Sequence, residues 1–222
     1  MKSQAAQQTD HTNDKFRDLA KLHYASASPY VRKVMASAIE LGLDGRFTLE
    51  PAANPTLPTV RNPAIAADNP LSKVPTLVFA DGERLYDSIV ICEYLDAVDG
   101  QHKLFPASGM ARWRALRTNA LADGILEAGV SVRLERVRPE DKRWSDWIDG
   151  QLFKINGSLD VLESSFTSWS SGLNIGHIAV SCALQWLEFR EIVDNPRKGR
   201  ERLYAWHEDF LKRPSMARTK PA

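Results

Sequence analysis

The stretch NPLSKVPTLVFADGERLYDSIVICEYLD, Asn69–Asp96, decides the fold of this 222-residue chain. Thr76–Phe79 reads as a strand and Glu83–Tyr86 as its returning partner. Asp81-Gly82 between them is a hairpin signal, because such tight turns need residues that accept positive φ. Pro75 cannot donate a ladder hydrogen bond, so it belongs at the head of a strand. Asp87-Ser88 then supplies the N-cap of a helix that carries Ile91, Leu95 and Val98 on one face.

Upstream, Lys21–Tyr24 is a short strand, and Ser28-Pro29 opens a helix with Ser as N-cap and Pro at its first position. Val31, Val34, Met35 and Ala38 have helical spacing, and Gly42 suits the C-terminal cap. Arg46–Glu50 alternates as a second strand, with Phe47 and Leu49 expected to point inward. Prolines at 51, 55, 58, 63 and 70 make 51–70 a loop with at most one short helix. Residues 19–100 thus run β-α-β, loop, β-β-α, the outline of a thioredoxin-like domain, although this order alone leaves other α/β folds open.

Downstream, 101–109 reads as a linker and 110–222 as an all-helical domain. Leu126, Val130, Leu134 and Val137 step by three and four residues, as do Leu152, Ile155, Leu159, Leu162 and Phe166. Ile178, Ala179, Cys182, Ala183, Trp186 and Leu187 spread over a broad arc, the pattern of a helix at the centre of a bundle. The predicted class is α/β plus all-α.

Composition narrows the function. The net charge of +1 gives no reason to expect nucleic acid or an acidic membrane as partner. No segment approaches the roughly 20 apolar residues of a membrane span. Residues 1–18 are polar, lack the apolar core of a secretory signal and read as a disordered tail. Cys92 and Cys182 fall in apolar helical patterns, which suits buried, reduced thiols. The five histidines lack metal-ligand spacing, so no metal is expected.

Three stretches carry the chemistry: LHYASASPYVRKV (Leu22–Val34), the Asn69–Asp96 stretch, and LNIGHIAVSCALQWLEFR (Leu173–Arg190). Together they resemble the bacterial cytosolic glutathione transferases. The most specific part is the order of a Val-Pro strand opening, an Asp-Gly hairpin and an acidic-Ser helix opening. The resemblance implies a cytoplasmic homodimer that uses glutathione as co-substrate, with no other cofactor, and a small electrophile as second substrate.

It also implies site residues. Val74-Pro75 would be cis, turning the Val74 backbone outward to pair with the cysteinyl unit of glutathione as an added strand would. Ser88 would hold the γ-glutamyl carboxylate and Asp87 its ammonium, at a helix N-terminus suited to anions. Lys73 would meet the glycyl carboxylate.

The reaction turns on one hydroxyl. A thiol of pKa ~8.5 must be lowered by about two units, roughly 2.7 kcal/mol, to be a thiolate at neutral pH. A hydrogen bond to a charged acceptor is worth ~1.5–3 kcal/mol. Ser28, Ser26 and Tyr24 are the candidates. The resemblance implies that a catalytic cysteine, where relatives have one, precedes the proline; here Ser28 stands before Pro29, which favours conjugation over mixed-disulfide chemistry. Glutathione-dependent peroxidase or isomerase activity, and a non-catalytic binding role on the same fold, are the alternatives.

Further expectations concern single residues. His23 is structural. Asn174 caps the central helix, while His177 stands where the family usually has a carboxylate and bacterial relatives carry His, and it is not expected to reproduce the carboxylate. Trp113, Leu116, Arg117 and Ala120 are candidates for the second-substrate pocket, with core packing as the alternative, and Arg133, Arg136 and Arg138 are placed on a solvated face. Trp144 and Trp147 read as packing residues or a pocket wall. Ser72 and Ile89 depart from the glycine and arginine common at their positions in relatives.

Overall fold

A computed structural model describes residues 20–52, 59–60, 62–165 and 172–221. The tail expected at 1–18, Pro55, Pro58 and Phe166 lie outside the described residues.

Strand β1 (Ala20–Tyr24) leads through helix α1 (Pro29–Glu40) to β2 (Phe47–Pro51), and β1 and β2 are parallel. One short helix, α2 (Pro63–Asp68), interrupts the proline-rich loop. Strands β3 (Thr76–Val78) and β4 (Arg84–Leu85) form the hairpin, with Gly82 at φ +88° in its turn. Because β3 is antiparallel to β1, the sheet order is β2-β1-β3-β4. Helix α3 (Ser88–Asp99) follows, capped by the Asp87 side chain, and ends at Gly100 with φ +69°. This is the thioredoxin-like arrangement.

Leu49 departs from the alternation argument: it is 44% exposed, although its register partner Leu22 is fully buried. β2 is an edge strand, and the layer that covers Leu22 stops short of it.

The helical part comprises α4 (Gly109–Arg136), α5 (Ser145–Ser165), α6 (Ile175–Phe189), α7 (Glu201–Phe210) and α8 (Pro214–Arg218). Helix α6 is the buried centre and contributes to both core clusters: Ile175, Ile178 and Cys182 to that of the sheet, and Ala183, Leu184, Trp186 and Leu187 to that of the bundle. Two glycines set how closely α4 and α6 approach. A Cβ on Gly176 would stand 2.7 Å from Thr118 Cβ, and one on Gly129 would stand 2.8 Å from the Trp186 ring. Residue numbers therefore rise together along the two helices, which run parallel.

The segment between α3 and α4 is anchored. Leu104 and Phe105 are buried in the first core, and their backbone N–H groups donate to the two oxygens of buried Asp96 at 2.8 and 3.1 Å. Cys92 and Cys182 are both free and buried, and burial pushes the Cys92 thiol up to about 12.

At the start of α6 the sequence argument needs correcting. Asn174 caps the helix as expected, and His177 completes the capping box, its Nδ1 accepting from the Asn174 N–H at 3.2 Å. A neutral imidazole nitrogen is an acceptor and replaces the carboxylate. Burial, helped by Arg213, pulls its pKa down to about 4, so it is neutral at pH 7. His207, fully buried and within 3.0 Å of Ser181 Oγ, is pulled down by burial and by Arg32 and Arg197 to about 3. His23 is buried with its Nε2 2.7 Å from Asp68, whose carboxylate also meets Lys21 and Arg84.

A buried ion pair helps to join the two halves of the chain. Lys33 on α1 is 1% exposed, and its Nζ donates to Asn119 at 3.1 Å and to both Asp123 oxygens at 2.8 and 2.9 Å, all on α4.

Removing one partner of such a pair strands a buried charge. Asp123→Ala is expected to cost about 3–5 kcal/mol in urea unfolding, and Lys33→Met less, because the Asp123 it leaves is 21% exposed and still accepts from Asn119. The histidines give a second expectation. His177 and His207 carry folded-state pKa values below the unfolded ~6.5, so only the unfolded chain gains those two protons as pH falls below ~6.5. Stability is therefore complete above about 6.5 and declines toward pH 5, by up to ~1.4 kcal/mol per unit for each histidine. Urea midpoints across this range measure it, and His177→Gln, which keeps an acceptor, should remove about half the slope.

Candidate functional site

The chain turns that bear chemistry meet at one cleft of about 830 Å³. Its sheet-side wall is Ala27–Tyr30, Asn69, Leu71–Pro75 and Tyr86–Ser88, with Val60, Asn62, Pro63 and Ala66 at one edge. The helical wall is Glu127, Val130, Ser131, Arg133 and Leu134 from α4, with Trp186 and Arg190 at the end of α6.

Ser28 is the residue before Pro29 and the N-cap of α1. It is buried, with its Oγ accepting from the Val31 N–H at 3.3 Å. That bond uses one acceptor lone pair and leaves the hydroxyl proton to be donated elsewhere. Ser26 is exposed and Tyr24 half-buried, and neither lines the cleft. Trp186 fixes this turn from the helical side, donating its indole N–H to the Ala27 carbonyl at 3.2 Å.

The Val74-Pro75 peptide is cis, as expected. Among the described residues neither the N–H nor the C=O of Val74 has a hydrogen-bond partner, and both stand one residue before β3. The loop before it is shaped by Asn69, 1% exposed, whose Nδ2 donates to the Lys73 carbonyl and to Thr76 Oγ1 at 3.2 and 3.0 Å. Its Oδ1 accepts from the Leu71 N–H at 2.9 Å. Sequence reasoning missed Asn69, because an Asn before a Pro reads as an ordinary turn residue. Ser72 adopts φ +51°, a left-handed conformation that favours glycine. Lys73 is exposed at the cleft.

Asp87 and Ser88 open α3 on the same cleft. Asp87 Oδ1 accepts from the Ile89 N–H at 3.2 Å, and Ser88 is 2% exposed. Tyr30, one residue past Pro29, was not foreseen. Burial, then Asp123 and Glu127, hold its hydroxyl well above the ordinary tyrosine range, so it is a neutral donor.

The helical wall of the cleft comes from farther along α4 than the segment expected beside a second-substrate pocket. Trp113 is 61% exposed, and Leu116, Arg117 and Ala120 do not line the cleft. The Lys33 contacts explain the offset. With residue 33 facing 119 and 123, Tyr30 falls beside Glu127, so α1 and α4 run antiparallel and the α1 N-terminus faces 127–134. Val130 and Leu134, expected in a buried stripe, are half-buried cleft residues, and Val137 is 57% exposed. Arg133 likewise leaves the predicted solvated face for the cleft, whereas Arg136 donates to the Glu191 carbonyl and Arg138 to Glu135. Trp144 and Trp147 stack with centroids 6.1 Å apart, exposed and away from the cleft.

Comparison with known proteins reads the same way. Residues 27–98 match the family described as Glutathione S-transferase, N-terminal domain. The GST-like protein YibF of Escherichia coli (strain K12) is 37% identical over 205 residues, covering 90% of this chain and 98% of its own length. This chain belongs to the glutathione S-transferase family. A glutathione transferase family member from Pseudomonas fluorescens Pf-5, solved with bound glutathione, superposes with a TM-score of 0.87 at 42% identity, covering 91% of this chain and 99% of its own. A structure from the same organism with bound S-(propanoic acid)-glutathione gives 0.83 at 40% identity, with 91% and 99% covered. Among the described residues of this glutathione transferase family member, no helix is long and apolar enough to cross a membrane.

The Trp186 contact can be tested alone. Trp186→Phe keeps most of the ring volume and removes the bond to the Ala27 carbonyl. The expected loss is about 1 kcal/mol of stability in urea unfolding, with faster amide exchange at Ser28.

Proposed function

We propose that the chain is a glutathione transferase that binds glutathione along the sheet-side wall of the cleft and directs its thiolate at an electrophile. The observation that carries this reading is the meeting of the Ser28 hydroxyl, the unpaired Val74 backbone and the Asp87-Ser88 helix opening in one cleft. The tripeptide's cysteinyl backbone pairs with Val74 as a short added strand. Its γ-glutamyl carboxylate sits on Ser88 and the α3 N-terminus, with its ammonium toward Asp87. Its glycyl carboxylate is reached by Lys73.

This places the sulfur near the head of α1. The Ser28 hydroxyl donates to it while still capping the helix, and the positive end of α1 adds ~0.3–1 kcal/mol. Together these approach the roughly 2.7 kcal/mol that a two-unit fall in thiol pKa requires. The thiol proton passes to solvent. The sulfur pair then forms the bond to carbon as the leaving group departs with its own pair.

Relatives support the reading. Two structures of a glutathione transferase family member from Pseudomonas fluorescens Pf-5, aligned at 42% and 40% identity, hold glutathione and a glutathione thioether respectively, the latter being the product type of such a conjugation.

Thiolate absorbance of bound glutathione followed against pH tests the assignment. The wild-type thiol is expected to titrate about two units below ~8.5, with Ser28→Ala restoring most of the difference and Ser26→Ala leaving it in place. A shift that survives in Ser28→Ala and vanishes in Ser26→Ala would reverse the two roles. No binding at several millimolar glutathione would end the transferase reading.

A further inference from the structure

We propose that the helical wall of the cleft is an anion subsite, formed by Arg133 and Arg190, that selects second substrates carrying a carboxylate. This rests on the transferase reading above.

The wall offers two kinds of surface. Val130, Leu134 and Trp186 are apolar, and Arg133 and Arg190 stand at the same wall. Other arginines of the chain, such as Arg84, Arg112, Arg197, Arg200 and Arg213, are each paired with a carboxylate. Arg133 and Arg190 are not: among the described residues neither guanidinium has a hydrogen-bond partner, and the Arg190 Nε is buried without one. A buried donor without an acceptor is costly, so such a group in a cleft calls for a ligand atom.

The two cations also sense each other. Burial first, and then the Arg133 charge, pull the Arg190 guanidinium below its ordinary value. Two neighbouring unpaired cations repel, and one anion between them relieves both costs.

The site is held in place. Arg190 is the C-cap of α6, where a cation is favoured by the helix dipole, and its guanidinium lies over the Phe189 ring at 4.5 Å. Arg136 donates to the Glu191 carbonyl at 3.0 Å and ties that end of α6 to α4. The acidic group on this wall, Glu127, lies toward Tyr30 and the α1 N-terminus, away from the Arg190 end. A planar carboxylate matches the guanidinium fork in two parallel hydrogen bonds, whereas a neutral amide cannot use both donors in this way. The ligand expected is an electrophile with an apolar body and a carboxylate beyond it.

Calorimetric binding of two glutathione thioethers tests this without relying on turnover. They are S-(para-carboxybenzyl)glutathione and its neutral isostere S-(para-carbamoylbenzyl)glutathione. Wild type is expected to bind the carboxylate at least about tenfold more tightly. Arg133→Met and Arg190→Met should each erase most of that preference and leave the amide affinity unchanged, which also reports an intact fold. Equal affinity for the two ligands in wild type overturns the anion subsite while leaving glutathione binding standing. So does a preference that both variants retain. Binding of neither ligand overturns the anion subsite, and glutathione titrated alone then decides the transferase reading, which stands if the tripeptide binds and falls with the subsite if it does not.

Discussion

The ammonium of Lys33 is the constraint around which the two halves of this molecule are arranged. A charge at 1% exposure must be compensated, and here Asp123 and Asn119 do so, both on α4. Asn119 also donates to Asp123 at 2.8 Å, which orients the carboxylate. Sliding α1 along α4 by one turn would strand the charge, so the pair fixes register as well as contact. Through that register the N-terminus of α1, with Ser28 at its cap, comes to face the second half of α4.

Helix α6 supplies the matching constraint from the other side. Gly176 and Gly129 let it approach α4 at two points along a parallel pairing, which sends the C-terminal ends of both helices to the cleft. Trp186 then does two jobs: its ring fills the space Gly129 leaves, and its indole N–H holds the Ala27 carbonyl. The turn that carries the candidate nucleophile-activating serine is thus held between its own helix and the bundle. The Asp96 carboxylate, by capping the chain at Leu104 and Phe105, keeps the passage between the two halves inside the first core.

The cleft that results is chemically divided. Its sheet-side wall is made of backbone groups and two helix N-termini, a surface suited to a peptide with charged ends. Its helical wall carries Val130, Leu134 and Trp186 beside two guanidiniums that have no hydrogen-bond partner among the described residues. Electrostatics inside it come mainly from which charges have partners elsewhere: Lys33 is spent on Asp123 and Arg136 on a carbonyl, while Arg133 and Arg190 face the space.

The sequence by itself determined the sheet-side half. Ser28-Pro29, Val74-Pro75, Asp81-Gly82 and Asp87-Ser88 act through local backbone chemistry, so a cap, a strand head and a hairpin could be placed from neighbours alone. Helix periodicity likewise marked α6 as central. What it could not settle was which face of each helix meets which partner. Val130, Leu134 and Arg133 have the spacing of core or surface residues, and nothing local distinguishes a stripe that packs from one that lines a cavity. His177 shows the same limit at one residue, since only burial keeps its imidazole neutral and able to cap. Those outcomes depend on contacts between residues far apart in the chain, Lys33 with Asp123 and Gly129 with Trp186 above all, and long-range packing of that kind is decided only when the tertiary structure closes.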